Sequence, residues 1–340
     1  MDSLTQIVLG AACGEIVLGK KIGNKALLFG AIGGTIPDLD VFVGRLLFYN
    51  EILVMAFHRG FMHSIFFAVL ACFVFGWIAY KLYNSNKRKG TTTLRNWIYL
   101  FFLSIFTHPL LDCFTPYGTQ LFAPFSEYRV AFNTISVVDP LYTIPFLICL
   151  ITIMFYHRTK QKRTLWLKAG IYISSAYLFF TVGNKFYMDA VFKKSFKKAG
   201  ISYHRFSAQP TIFNTILWYA VAETKNNYHF TFYSLLDRSS ISEKIITIEK
   251  QHDLIDMNSG NLKKLTWFSN NYFNLSKDEK TGTYKYVDLR YPMLNPEDAT
   301  TSVFNFTLFR ESLNWDIVPF DGKVPTKEDF IFFMNRLKGI

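Results

Sequence analysis

Long apolar runs separated by short polar connections fill the first half of the chain, and the pattern changes near residue 190. A membrane-crossing helix needs about 20 mostly apolar residues. Residues 61–83, 94–111, 140–156 and 165–188 approach or meet that length. Two earlier runs, 4–18 and 26–47, are shorter or broken: the first carries Glu15, the second Gly33, Gly34 and Pro37. They read as a packed helical hairpin, which brings the expected number of membrane segments to six. Gly10, Gly14, Gly30 and Gly34 would mark the packing face, since glycine lets helices approach closely in lipid. After about Lys193 the apolar period shortens to that of strands. Aromatic-rich stretches at 228–233 and 303–309, with 245–248 and 283–287, predict strands, and Pro325-Thr326-Lys327-Glu328-Asp329 predicts a helix start before 330–337. The expected fold is a multi-spanning α-helical membrane domain, residues 1–190, followed by a strand-rich α+β extracytoplasmic domain, residues 191–340.

Composition agrees with a membrane class. Of 340 residues 50% are hydrophobic, with 36 Phe, and only 18% are charged, against about 25% in soluble domains. The net charge of +12 could point to nucleic acid. The basic residues, however, gather in short connections: Lys87, Arg88, Lys89 and Arg95, then Arg158, Lys160, Lys162, Arg163 and Lys168. Positive-inside bias accounts for that placement with no nucleic-acid partner. Cys13, Cys72, Cys113 and Cys149 form no C-x-x-C pair, so neither a disulfide scaffold nor a cysteine-rich metal site is expected. Met1-Asp2 lacks the basic opening of a cleavable signal, and none is expected.

Three polar strings interrupt the apolar half: Pro37-Asp38-Leu39-Asp40, His58-Arg59-Gly60-Phe61-Met62-His63-Ser64, and Thr107-His108-Pro109-Leu110-Leu111-Asp112. An ionisable side chain at a membrane helix centre costs roughly 2.5–3.5 kcal/mol on insertion scales. With the basic connections inside, all three strings fall at the outer ends of their segments, and the C-terminal region is also outside. Imidazole and carboxylate from separate segments are the ligand set of a Zn²⁺- or Mn²⁺-type site; Mg²⁺ rarely takes His. Asp38, Asp40, His58, His63, His108 and Asp112 are therefore the candidate ligands. His108 and Asp112, four apart, would share one helix face. His58 would sit in a loop and His63 in the first turn of the next helix, with Asp38 and Asp40 in an extended or turn segment after the proline. Arg59 would hold an anion or pair with Asp38 or Asp40. The plainer reading of each residue alone is a cap or an interfacial histidine; six meeting at one face favour a site. Thr115-Pro116-Tyr117-Gly118 reads as the turn ending the helix and as a rim of the pocket. His157, His204, His229 and His252 receive no role.

Together the P-D-L-D, H-R-G-F-M-H-S and T-H-x-x-x-D-x-x-T-P-Y-G strings resemble the YdjM family, bacterial inner-membrane proteins described as metal-dependent hydrolases. The resemblance covers roughly residues 1–190, and 210–237 is similar to the outer domain of a long-form subgroup. Two positions depart. Met62 stands where the family often has Thr, and Gln6 where many members have a His, which weighs against a further ligand there. The motifs also resemble the zinc-dependent phospholipase C group, which implies phosphoester hydrolysis, although motif kinship does not fix a substrate. The resemblance implies a metal-dependent hydrolase at the outer face of the inner membrane, and a site opening at that depth suits a lipid or lipid-linked phosphate. The six candidates would bind a divalent ion, or one Asp, Asp38, would serve as general base instead, with Arg59 steadying developing negative charge. The rival is a membrane binding, transport or assembly protein whose metal site is structural; a transporter would need polar residues through the whole membrane depth.

Overall fold

The computed structural model describes residues 1–258, 260–292, 304–311, 314–319 and 326–340. Val303 and Pro325, expected in a strand and at a helix start, lie outside those residues. The chain divides into two compact units, 1–43 with 57–182, and 44–56 with 183–340.

The first unit is helical. Helix α1 (Ser3–Ile22) starts at Asp2, whose carboxylate accepts from the Thr5 N–H at 3.1 Å, and ends at Gly23. Gly23 takes φ +61°, a conformation that suits glycine, and the chain turns back into α2 (Asn24–Thr35). The two helices lie backbone to backbone. A Cβ added at Gly10, Gly14 or Gly30 would collide with the carbonyl of Gly30, Ala26 or Gly10 respectively, and one at Gly34 with the Gln6 carbonyl. The packing face expected from those four glycines is therefore real. Pro37 then opens a 3-10 turn (Pro37–Leu39), leading into α3 (Asp40–Leu47), bent 44° from α2. Proline disrupts the preceding helical turn because it lacks an N–H and its ring crowds the carbonyl four residues back. Of the extended or turn segment expected after the proline, the structure has the turn: Asp38 sits in the 3-10 turn and Asp40 begins α3.

Helix α4 (Glu51–Phe57) precedes a second 3-10 turn, Phe61–His63. Ser64 caps α5 (Ile65–Tyr83), accepting from Phe67 N at 3.0 Å, and Thr93 with Asn96 forms the capping box of α6 (Leu94–Asp112). Next come α7 (Pro140–Met154) and α8 (Gln161–Lys198). Only α5 and α8, among the described residues, are long and apolar enough to cross a membrane, and the bent α2–α3 pair makes a third if it is counted as one span. The six expected segments reduce to two or three by that measure. Helix α7 is 15 residues long, while Glu15, Lys20 and Lys21 dilute α1, and Arg95, Asn96 and His108 dilute α6. Arg163 was expected among the basic residues of a short connection between apolar runs. It is buried, pairing through Nε and Nη2 with both Glu15 oxygens at 2.6 Å and donating to the Asn24 side chain and two carbonyls. Full hydrogen bonding of this kind is what makes a buried ion pair tolerable.

The second unit holds two four-stranded antiparallel sheets among the described residues. One runs β1 (Arg205–Pro210), β2 (Leu217–Glu223), β3 (Asn227–Ser234), β4 (Ile245–Glu249); the other runs β5 (Phe273–Lys277), β6 (Tyr284–Asp288), β7 (Asn305–Glu311), β8 (Asn314–Pro319). Strand β2 is covered on both faces. Trp218, Ala220 and Ala222 meet Met188, Phe192 and Phe196 of α8, while Leu217, Tyr219 and Val221 meet Phe230, Tyr272 and Leu289. Ile52 and Met55 of α4 join the core of the second sheet with α9 (Gly260–Phe268). Thr326 and Asp329 form the capping box of α10 (Lys327–Leu337), the terminal helix expected.

Candidate metal centre

The helical unit brings the three polar strings together. The turn at Pro37 aims Asp38, the turn at Phe61–His63 presents His63, and the last turn of α6 carries His108 and Asp112 on one face, despite Pro109 between them. His63 Nε2 and His108 Nε2 stand 3.1 Å apart. Asp38 Oδ1 lies 3.4 and 3.5 Å from these two nitrogens, and Asp112 Oδ2 lies 3.5 Å from each. Asp38, His63 and His108 form a group able to hold a metal ion; Asp112 closes the set.

The opposite ring nitrogens decide what those atoms are. His108 Nδ1 faces the Gly34 carbonyl at 2.6 Å, which can only accept, so Nδ1 carries the proton. His63 Nδ1 lies 3.0 Å from Asp40 Oδ2, an imperfectly aligned contact, again with an acceptor. With both rings neutral, as metal-binding imidazoles are, the two Nε2 atoms would present lone pairs to each other and to two carboxylate oxygens. Asp112 Oδ2 is buried with no hydrogen-bond partner among the described residues. Four converging acceptors repel unless a cation lies among them, and a backbone carbonyl or carboxylate behind each histidine is the usual support of a metal-binding imidazole. Spacing agrees. The ligand atoms of Asp38, His63 and His108 all lie within 4.8 Å of one another. The residues present fit a divalent ion.

Asp40 and His58 stand one layer behind. Asp40 Oδ1 takes His58 Nδ1 at 2.8 Å, and Oδ2 takes the Arg59 backbone N–H at 2.8 Å on the side facing His63. One carboxylate thus orients two imidazoles. His58 packs edge-on to His63 and to Tyr117. Burial pushes its pKa below the ordinary value of 6.5, outweighing the pull of Asp40, so it is neutral at pH 7. Arg59 pairs with Asp112, its Nε 3.3 Å from Oδ2, rather than with the side chain of Asp38 or Asp40. Its Nη1 donates to Thr115 Oγ1 at 2.9 Å, and it adopts φ +59°. A non-glycine residue there costs of order 1–3 kcal/mol, a strain found at sites where geometry matters.

Gln6 is also part of the centre. Its Nε2 donates to Asp112 Oδ1 at 2.8 Å and to the His108 carbonyl at 3.2 Å, and the Met1 amino group contacts the same Oδ1. It holds Asp112 in place and is not itself within the converging set. The Thr115–Gly118 turn does end α6, and it is buried: the Tyr117 ring centre lies 4.8 Å from the guanidinium of Arg59 and 5.1 Å from that of Arg129. Arg129 was not singled out from the sequence. Its one signal is a cation set in an aromatic connection, Phe125-Ser126-Glu127-Tyr128-Arg129. His157, His204, His229 and His252 stand apart from the cluster; the last three hydrogen-bond or pair within the sheet unit.

The model of the YdjM inner membrane protein family matches residues 1–187. The chain belongs to that family. Its matched region carries every residue of the centre. One curated relative is similar to it, the uncharacterized protein YfhP of Bacillus subtilis (strain 168), 31% identical over 147 residues. The match takes in 41% of this chain and 42% of that protein, so the chain spans less than half of the relative's length. No solved structure matches. The matched portion ends about two-thirds of the way along α8, and the sheets lie beyond it.

Proposed function

We propose that this YdjM-family protein is a membrane-bound, metal-dependent hydrolase acting on a phosphoester or lipid-linked substrate at the outer face of the inner membrane. The observation that carries the reading is the pair of opposed histidine Nε2 atoms flanked by two carboxylates, a set that a divalent cation would reconcile. Asp38, His63, His108 and Asp112 would hold the ion, and the mixed N/O set suits Zn²⁺ or Mn²⁺ better than Mg²⁺. A bound divalent ion would lower the pKa of a water and polarise the scissile group.

The chain's own groups take the other roles. Asp38 is the ligand with most access to solvent, at 17% exposed, and stands nearest to where a substrate would enter. His58, neutral and with its Nδ1 proton directed at Asp40, has Nε2 free to take a proton from the attacking water. Arg59, locked between Asp112 and Thr115, supplies fixed positive charge beside the reacting group.

Orientation is supported by charge on the two clearest spans. The C-terminal end of α5 meets Lys87, Arg88 and Lys89, and the N-terminal end of α8 meets Arg158, Lys160 and Lys162. If both basic ends are cytoplasmic, the site end of α5 and the sheet-bearing end of α8 are outside. A structural metal site in a binding, transport or assembly protein would share the ligands but need no neutral His58–Asp40 pair beside them. The test is elemental analysis of purified protein, wild type against His63→Ala and Asp112→Ala, with hydrolysis of a generic phosphodiester measured in parallel. Near-stoichiometric metal and turnover in wild type alone is the expected result. Equal, sub-stoichiometric metal in all three would remove the reading.

A further inference from the structure

Beside the centre, a ten-residue loop, 120–129, exposes three aromatic side chains, with Glu127 among them. Its feet are joined by a two-way backbone pairing of Thr119 and Val130, at 3.1 and 2.9 Å. It is pinned to the site segment at three points. Gln120 N donates to the Arg59 carbonyl at 2.9 Å, Ile65 N donates to the Leu121 carbonyl at 3.0 Å, and Arg129 Nη2 donates to the His58 carbonyl at 3.0 Å. Leu121 and Ala123 face inward, while Phe122, Phe125 and Tyr128 point out, 51%, 81% and 68% exposed. Contiguous exposed aromatics of this kind mark a binding or membrane surface.

Continuity with a span says which. The Phe125 ring packs edge-on against Phe66 at 5.8 Å, and Phe66 is in the first turn of α5. Phe66 is itself exposed, as are Val69, Leu70 and Phe73 on the same helix, so the patch extends the lipid-facing side of a membrane-crossing helix. Aromatic rings gather at that depth, where one edge is apolar and the other wet. At the foot of the loop, Arg129 and Arg59 flank Tyr117 and place two guanidinium groups beside His58. Guanidinium is the group suited to phosphate oxygens.

We propose that loop 120–129 lies in the interfacial layer of the bilayer and that the centre takes its substrate sideways from the membrane: a phosphatidyl-type lipid with an anionic head and acyl tails. The substrate part rests on the hydrolase reading above; the placement of the loop does not.

Two measurements on the full chain separate these. In nanodiscs of phosphatidylethanolamine and phosphatidylglycerol, spin labels at Phe125→Cys and Tyr128→Cys are compared with a label at Val69→Cys in α5 and one at the exposed Lys280→Cys. The four native cysteines are buried, and unmutated protein is the labelling control. Collision with dissolved oxygen should exceed collision with a water-soluble nickel chelate, as at Val69; nickel access matching Lys280 would overturn the placement. Hydrolysis is then measured on bilayer-held long-chain phosphatidylglycerol and on soluble dibutyryl phosphatidylglycerol. The doubly substituted Phe125→Ser, Tyr128→Ser protein should lower the long-chain to short-chain ratio by about tenfold, since only the tailed substrate depends on apolar contact at the loop. An unchanged ratio, or wild type hydrolysing the soluble ester alone, would overturn entry from the bilayer. Hydrolysis of neither ester would remove the hydrolase reading and the substrate with it, leaving the labels to decide the loop.

Discussion

Asp40 accepts from His58 Nδ1 through one oxygen and faces both Arg59 N–H and His63 through the other. Replacing it with Asn gives a selective test. The amide oxygen belongs on the side with two donors, which puts the NH₂ against His58 Nδ1 and forces that ring into the other tautomer. Asp40→Asn should keep metal content near wild type and abolish hydrolysis, read by elemental analysis beside turnover. Asp112→Asn removes charge from an oxygen of the converging set and should instead lose the metal, with at least about a tenfold fall in affinity. The reverse pattern would exchange the two residues' roles. All six polar residues were visible in the sequence because ionisable groups next to apolar runs stand out. Their division into four converging and two supporting was not. Residues 38 and 40, like 58 and 63, are arranged by the 3-10 turns at Pro37–Leu39 and Phe61–His63, whose spacing is neither that of a strand nor of an α-helix. Arg129 was hidden for a further reason: its neighbours at the site come from 71 and 11 positions away.

At the scale of elements, the glycine seam between α1 and α2 sets where two site groups stand. Helix α2 ends just before Asp38, and its Gly34 carbonyl holds the His108 ring. Gly30→Val should force the helices apart, lower stability by about 1–3 kcal/mol, and reduce metal content, measured by thermal unfolding and elemental analysis. Gly183→Ala, on α8 with open space around it, should be neutral or slightly stabilising. Equal behaviour of the two variants would show that the seam does not position the site. The seam itself was legible, since four glycines at helical spacing have few other uses. The number of spans was not, because α1 and α6 carry ionisable residues spent on Arg163 pairing and on the centre. Strand β2 was also missed. Covered on both faces, it shows no apolar–polar alternation, whereas β3, β4, β6 and β7 do enough to be found.

For the whole molecule, the charge at the ends of α5 and α8 predicts that a periplasmic reporter fused at Ile340 is active and a cytoplasmic one silent; the opposite result would reverse the orientation. Stability of the sheet unit should depend on acid through Glu223. Burial alone would raise that carboxyl, but Lys250, donating at 2.6 Å, and Arg205 outweigh it and hold the pKa below the ordinary 4.5. A depressed carboxyl stabilises the fold above its unfolded pKa, and that contribution is lost as pH falls through the folded value. Melting temperature should therefore drop below pH 4.5 in wild type and drop less steeply in Glu223→Gln. That two such different halves follow one another was plain from composition, since the apolar runs stop where the β-rich alternation begins.

The outward rings of loop 120–129 also bear on how the protein behaves out of its membrane. A solubilising agent with a long alkyl chain is chemically an acyl tail without a scissile bond, and Phe122, Phe125 and Tyr128 offer it the same surface they offer a lipid. Micelles would then act as competitive inhibitors, their potency rising with chain length at constant head group. A preparation silent in dodecyl maltoside should regain turnover on transfer to lipid discs, with no change in its metal content.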